Sequence, residues 1–247
     1  MRIGLVGVGH LGKIHLRCLL KTKFIVEGFF DTNQEVSDQI ATEYNVKAFR
    51  DFDSMLDAVD CIDIVSPTVF HFEIAKKAII KGKHIFIEKP LTETTEQARE
   101  LVSLAVKYNV IVQVGHVERY NPAIRSMSGV KLNPKFIEGH RLAMFNPRGT
   151  DVSVVLDLMI HDLDIILSLI KSEVKNVSAN GVCIVSNTPD ICNARIEFVN
   201  GSVANLTASR ISLKNMRKIR IFQDDAYISL DFLDKDAQVI KIENHIE

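Results

Sequence analysis

Four cysteines in 247 residues, none in a CxxC pair, give no disulfide framework and no thiolate metal site. They read as small core residues or free thiols in a reducing compartment. No run approaches the roughly 18 apolar residues of a membrane span. The opening Met1 to Gly7 is too short and too glycine-rich for a signal peptide. The cytoplasm is the expected location. Excess charge is also lacking: 30 Lys and Arg stand against 31 Asp and Glu. That balance offers no reason to expect nucleic acid or an anionic membrane as partner. There is no repeat and no low-complexity linker, and the histidines do not cluster as metal ligands, so no metal site is expected.

What is present is 47% apolar residues, enough for a sizeable core, in a chain long enough for two domains. Short apolar runs alternate with helical periodicity through the first half. Strands are predicted over residues 3–8, 24–30, 61–65, 84–87 and 110–114, with helices over 11–20, 33–44, 70–81 and about 94–108. Thr94 followed by Gln97 is a capping box. Strands separated by helices of this length predict a parallel sheet covered on both faces. After Gly115 the pattern changes. One long helix is predicted over 154–169, then strands over 176–185, 193–199, 202–209, 218–223, 226–232 and 238–242. Asn200-Gly201 predicts a type I′ hairpin turn, and Asp224-Asp225 another turn. The fold class is therefore α/β: an N-terminal Rossmann domain plus a C-terminal α/β domain with an open, mostly antiparallel sheet. One face of that sheet is expected to take the helix and the other to be a free apolar face, suited to a second subunit.

Gly7-Val8-Gly9-His10-Leu11-Gly12 is G-x-G-x-x-G between the first strand and the first helix. Gly7 permits the tight turn, Gly9 lets backbone approach a pyrophosphate, and Gly12 allows close helix–strand packing. His10 and Leu11 fall within this turn. Asp31 ends the second strand, 24 residues after Gly7. A carboxylate there can accept from ribose hydroxyls and repel a 2′-phosphate, which favours NAD over NADP. The alternative is a turn or helix-cap residue, within Asp31-Thr32-Asn33.

Lys89 follows a strand end, where its ammonium can bond a reacting oxygen; a lone lysine is otherwise a solvated surface group. Asp157 and His161, four apart, share a helix face, His161 as general base and Asp157 as its orienter. A helix-stabilising pair or a satisfied core histidine is the alternative. His116 and Arg119 follow the last Rossmann strand and are candidate substrate contacts or structural groups. His140, Arg141 and Arg148 are candidate diphosphate partners. Asp164 reads as structural or solvent-facing and Asp162 stays open. His10, His15 and Asp151 carry no catalytic argument.

At Lys83-His84-Ile85-Phe86-Ile87-Glu88-Lys89-Pro90-Leu91 the chain resembles the glucose–fructose oxidoreductase/inositol dehydrogenase (Gfo/Idh/MocA) family. Ser66-Pro67-Thr68 with His71 resembles its turn beside the nicotinamide, and Asp157 to Asp162 its catalytic helix. The resemblance covers nearly the whole chain. It implies cofactor contacts at the glycine turn, Asp31, Ser66, Pro67, Thr68, His71, Glu88 and Lys89, and catalysis by Lys89, Asp157 and His161. It further implies a homodimer or homotetramer through the C-terminal sheet, and several tens of residues beyond Glu247. Residues 1–118 are then the NAD-binding domain and 119–247 the substrate-binding and oligomerisation domain, with the cleft between them holding nicotinamide and a sugar.

Residues 115–122 and 145–152 are similar to a group within that family acting on nucleotide sugars, which implies His116, Arg119 and Arg148 as substrate contacts. The expected reaction is NAD-dependent oxidation of a sugar hydroxyl, at C3 of UDP-N-acetylglucosamine. The alternatives are another sugar, polyol, carbonyl or imine substrate, or a non-catalytic sensor of nicotinamide cofactor.

Overall fold

A computed structural model of the chain describes residues 1–146 and 152–242. It divides into two compact units, Met1–Gly115 and His116–Glu247. The first runs β1 (Arg2–Val6), α1 (His10–Leu19), β2 (Ile25–Phe30), α2 (Gln34–Tyr44), α3 (Phe52–Ala58), β3 (Cys61–Ile64), α4 (His71–Ile80), β4 (His84–Ile87), α5 (Thr95–Tyr108) and β5 (Val112–Val114). Its strands form one parallel sheet in the order β2-β1-β3-β4-β5. Successive strand residues face opposite sides. Leu5 packs with Leu16, Phe29 and Ile40, while Val6 packs with Ile62, Ile64 and Ile79. Helices therefore cover both faces. The order turns back between β1 and β3, and at such a switch point the strand ends diverge into a crevice.

The Thr94 capping box is formed, with Gln97 N–H donating to Thr94 Oγ1 at 3.3 Å and Thr94 N–H to Gln97 Oε1 at 3.4 Å. No helix is predicted over α3. Its start is fixed by Asp51, whose Oδ1 accepts from Ser54 N–H at 2.8 Å, and it buries Met55 and Leu56.

The second unit begins with a 3-10 turn at Val117–Tyr120, then α6 (Pro122–Arg125) and β6 (Phe136–Leu142). A π-helical turn, Val155–Met159, runs into α7 (Ile160–Leu169). Six strands follow: β7 (Val174–Val182), β8 (Ile191–Phe198), β9 (Val203–Ser209), β10 (Met216–Gln223), β11 (Ala226–Asp231) and β12 (Asp236–Lys241). The seven-stranded sheet has the order β12-β11-β10-β6-β9-β8-β7. β6 lies at its centre, antiparallel to β10 and parallel to β9. Met159, Ile165 and Ile166 pack on one face against Ile137, Phe198, Leu206 and Ile219.

Four expectations change here. The strand β6 was missed because two of its three inward positions are Gly139 and Arg141. A Cβ on Gly139 would lie 2.5 Å from Leu206 Cδ2, so a larger residue there would displace the buried Leu206 side chain. The helix expected over 154–169 opens with a π turn, a local widening often found at functional sites. The β8–β9 hairpin is formed, but its turn is not type I′. Gly201 alone is left-handed, at φ 87°, and its N–H donates to Phe198 O at 3.0 Å, giving a β-turn followed by a glycine bulge. The outer sheet face is mixed rather than apolar. Asn193 bonds Thr207, Arg195 bonds Glu197 and Asn205, and Arg220 bonds Glu138. Aromatics gather at one end, with Phe222 against Phe136 and Tyr227.

Candidate active site

In the first unit the switch point holds a cavity of about 680 Å³. Gly7, Gly9, His10 and Leu11 line it from the turn after β1, Asp31 and Thr32 from the end of β2, and Ser66 and Pro67 from the turn after β3. Gly7 has φ +90°, a conformation that glycine adopts without strain. A Cβ on Gly12 would lie 2.0 Å from Gly7 O, so this glycine serves helix–turn packing. A Cβ on Gly9 would meet nothing within 4 Å, so backbone there faces open space. The N-cap of α1 is Gly9, with no side-chain cap and no acid in the first turn. Its amides are oriented for an anion such as a pyrophosphate. Ser66 Oγ is buried with no hydrogen-bond partner among the described residues. These features fit a dinucleotide.

Asp31 is fixed at the mouth of the turn. Its Oδ2 accepts from Val8 N–H at 2.8 Å and its Oδ1 from Asn33 N–H at 2.9 Å. It is thus a turn residue, and each oxygen keeps a further lone pair for a hydroxyl. The cap of α2 is Asn33, which accepts from Val36 N–H. Phe30, Phe70, Glu73 and Ile74 also line the cavity and were not singled out from the sequence.

Of the residues expected at the cofactor, Gly12, Thr68, His71, Glu88 and Lys89 do not line this cavity. His71 is 1% exposed, with Nδ1 2.9 Å from Pro90 O and Nε2 2.8 Å from Ser66 O. Its ring ties two turns together and does not line the cavity. Thr68 opens a 3-10 turn at Thr68–Phe70 and is also absent from the lining. Glu88 is buried and directed inward: its Oε2 accepts from Lys89 N–H at 3.1 Å, and its Oε1 lies 3.3 Å from His15 Nε2. Lys89 follows β4 and precedes a cis peptide bond to Pro90.

Neither His15 nor Asp63 is expected in a site from the sequence. His15 Nδ1 lies 2.9 Å from Asp63 Oδ2, so the ring stands between two carboxylates. Burial alone would lower the imidazole pKa. The bonds to Asp63 and Glu88 outweigh it and push the pKa up to about 10. Burial raises the Asp63 pKa, opposed in part by His15. A charged residue inside the apolar run Ile62-Asp63-Ile64 was the available signal.

In the second unit Asp157 lies on the π turn and His161 on the first turn of α7, both half-buried. Asp162, next to His161, is 3% exposed and takes a forked bond from Arg141, Nη2 at 2.7 Å and Nε at 3.0 Å. Arg141 is itself 1% exposed, which removes it as a diphosphate partner. His140 lies on the opposite face of β6. Arg119 forks onto Asp164, with Nε at 2.6 Å and Nη2 at 2.5 Å. Asp164 is therefore structural, and much of Arg119's hydrogen-bonding capacity is already used. His116 Nε2 is 3.9 Å from Asp164, and its buried Nδ1 has no partner among the described residues. Arg148 and residues 147–151 of the 145–152 stretch lie outside the described residues. Among the described residues no group of His, Cys, Asp and Glu could hold a metal, and no helix is long and apolar enough to cross a membrane.

Residues 1–116 match the model of the oxidoreductase family with an NAD-binding Rossmann fold, and residues 125–229 match the GFO/IDH/MocA C-terminal domain. The chain is 40% identical over 240 residues to the UDP-N-acetylglucosamine 3-dehydrogenase of Acidithiobacillus ferrooxidans, covering 97% of this chain and 76% of that protein. A solved structure of that enzyme superposes with a TM-score of 0.93, covering 98% of this chain and 80% of the other. A scyllo-inositol 2-dehydrogenase (NAD(+)) of Bacillus subtilis is 28% identical over 236 residues, covering 86% of this chain and 68% of that one.

Proposed function

The chain belongs to the Gfo/Idh/MocA family of NAD-binding oxidoreductases, and we propose that it oxidises the 3-hydroxyl of UDP-N-acetylglucosamine with NAD. The observation that carries the cofactor half is the cavity walled by the glycine turn, Asp31 and Ser66. The substrate half is supported by the 40% identity to an enzyme named for that reaction. NAD is the preferred cofactor in this reading because Asp31 would meet a 2′-phosphate with like charge, and Thr32 and Asn33 supply no cation to offset it. Asp31→Ser then narrows the preference for NAD over NADP in paired titrations; tighter NADP binding by the unaltered protein overturns it.

With its pyrophosphate at the glycine turn, NAD would supply the hydride acceptor. Lys89 holds the reacting oxygen, His161 takes the hydroxyl proton, and Asp157 orients the imidazole. His116 and the remaining donors of Arg119 contact the nucleotide sugar, with Arg148. Lys89→Ala and His161→Ala each lower turnover about a hundredfold or more with cofactor affinity nearly unchanged.

The deciding experiment measures NADH formation with UDP-N-acetylglucosamine against inositol, glucose and free N-acetylglucosamine. Free sugars react poorly in this reading, because binding energy from the nucleotide helps orient the reacting carbon. Preference for an unphosphorylated polyol sinks the substrate and leaves the dehydrogenase. Cofactor binding without turnover of any of the four favours the sensor. The four free cysteines support a reducing, cytoplasmic setting. The aromatic end of the outer sheet face supports a homo-oligomer, for which sedimentation is the test.

A further inference from the structure

Glu88 is held from three sides. His15 Nε2 approaches its Oε1 at 3.3 Å, and Lys89 N–H donates to its Oε2 at 3.1 Å. On the third side a Cβ on Gly115 would lie 2.7 Å from Oε1, so a larger residue there would push this carboxylate from its place. His15 stands on α1, the helix that opens from the glycine turn, and its other nitrogen is anchored on Asp63 of β3 at 2.9 Å. Phe86 of β4 flanks the ring at 6.0 Å. The charged groups facing His15 are Asp63 and Glu88. One chain of contacts thus runs from β3 through the phosphate-binding helix to the backbone of Lys89.

We propose that His15, Asp63 and Glu88 form one positioning unit that sets Lys89 for its contact with the reacting oxygen. This rests on the reading of Lys89 as a catalytic residue. An imidazole between two carboxylates fixes both ends of its own ring, so Glu88 has one place to sit. The Lys89 amide bonded to Glu88 then shares that restraint, and the side chain starts from a fixed backbone. Misplacing a reacting group by about 1 Å can cost on the order of a hundredfold in rate.

The test is a double-mutant cycle on turnover of UDP-N-acetylglucosamine, with cofactor affinity read separately by NADH fluorescence. His15→Gln lowers kcat roughly tenfold to a hundredfold and leaves the NADH dissociation constant within about threefold. Gly115→Ala displaces Glu88 without removing a charge and gives a loss of the same kind, which keeps the idea testable should His15→Gln fold poorly. In the Lys89→Ala background both substitutions lose their effect, because they act through Lys89. Losses that multiply in that background overturn the positioning unit while leaving Lys89 catalytic. Near-normal turnover of Lys89→Ala itself overturns the reading of that lysine, and the positioning unit with it. A weakened NADH affinity with unchanged kcat in His15→Gln assigns His15 to the cofactor turn and also overturns the proposal.

Discussion

The two units each hold a cation between carboxylates, half-buried in the first and buried in the second, and each does so beside a residue proposed for catalysis. In the first, His15 stands between Asp63 and Glu88, and Glu88 precedes Lys89. In the second, Arg141 lies 2.7 Å from Asp162 and 3.5 Å from Glu118, and Asp162 follows His161. The cations differ in one respect. A guanidinium is planar, forks onto a carboxylate and stays charged at any accessible pH. An imidazolium is charged only while its surroundings hold the proton. The second anchor is therefore permanent and the first conditional on pH.

Arg141→Leu gives the largest expected effect. It leaves Asp162 buried at 3% exposure without its counter-charge, a change that costs about 3–5 kcal/mol. Urea unfolding followed by circular dichroism reads it. Replacing both partners with leucine recovers most of that loss. Turnover stays low in the double variant if Asp162 also steadies His161. A single variant as stable as the unaltered protein would show that the pair is not an anchor.

The conditional anchor is tested at high pH. The His15 pKa is raised in the folded protein, from 6.5 to about 10. Folding then holds a proton that the unfolded chain releases. The resulting stabilisation is complete below pH 6.5, declines above it and is lost as pH rises through about 10. Discounted for solvent screening, the loss between pH 6.5 and 10 is about 2 kcal/mol. Urea midpoints fall with pH in the unaltered protein and fall less in His15→Gln, in which other alkaline titrations are common to both. Parallel curves would show that His15 carries no linked proton.

The same contrast explains what could be read from the sequence. The first sheet was legible because its strands are short apolar runs punctuated by glycines, and Gly7-Val8-Gly9-His10-Leu11-Gly12 falls between a strand and a helix. The cavity lining at Gly7, Gly9, His10, Leu11, Asp31, Ser66 and Pro67 follows from that turn and from the family resemblance. Hidden were the places where polarity is buried. β6 disguises its inward face with Gly139 and Arg141, and Asp63 sits inside an apolar strand. The roles of His71 and Glu88 were also hidden, because their partners are backbone carbonyls of Ser66 and Pro90 and the ring of His15, which no local pattern brings together. A residue type signals what chemistry is possible; only the fold shows whether that capacity is already used.

The smallest expected effect separates a bonded pair from its satellite. Glu118 Oε1 is 3.5 Å from Arg141 and 3.4 Å from Arg217, while its Oε2 accepts from Asn121 Nδ2 at 3.2 Å. Both cation contacts are long, and Arg217 is partly exposed. Glu118→Gln keeps an acceptor for Asn121 and removes only the charge, so it costs about 1 kcal/mol or less and leaves the alkaline profile unchanged. Glu88→Gln in the first unit removes one of the two carboxylates on His15 among the described residues and moves the alkaline loss to lower pH, because one source of the raised imidazole pKa is gone. The two glutamates, each offered one neutral replacement, therefore part company in pH dependence. Should Glu118→Gln cost as much as Arg141→Leu in the same urea titration, the second cluster is a three-membered network like the first, and the distinction between a permanent pair and a conditional relay fails.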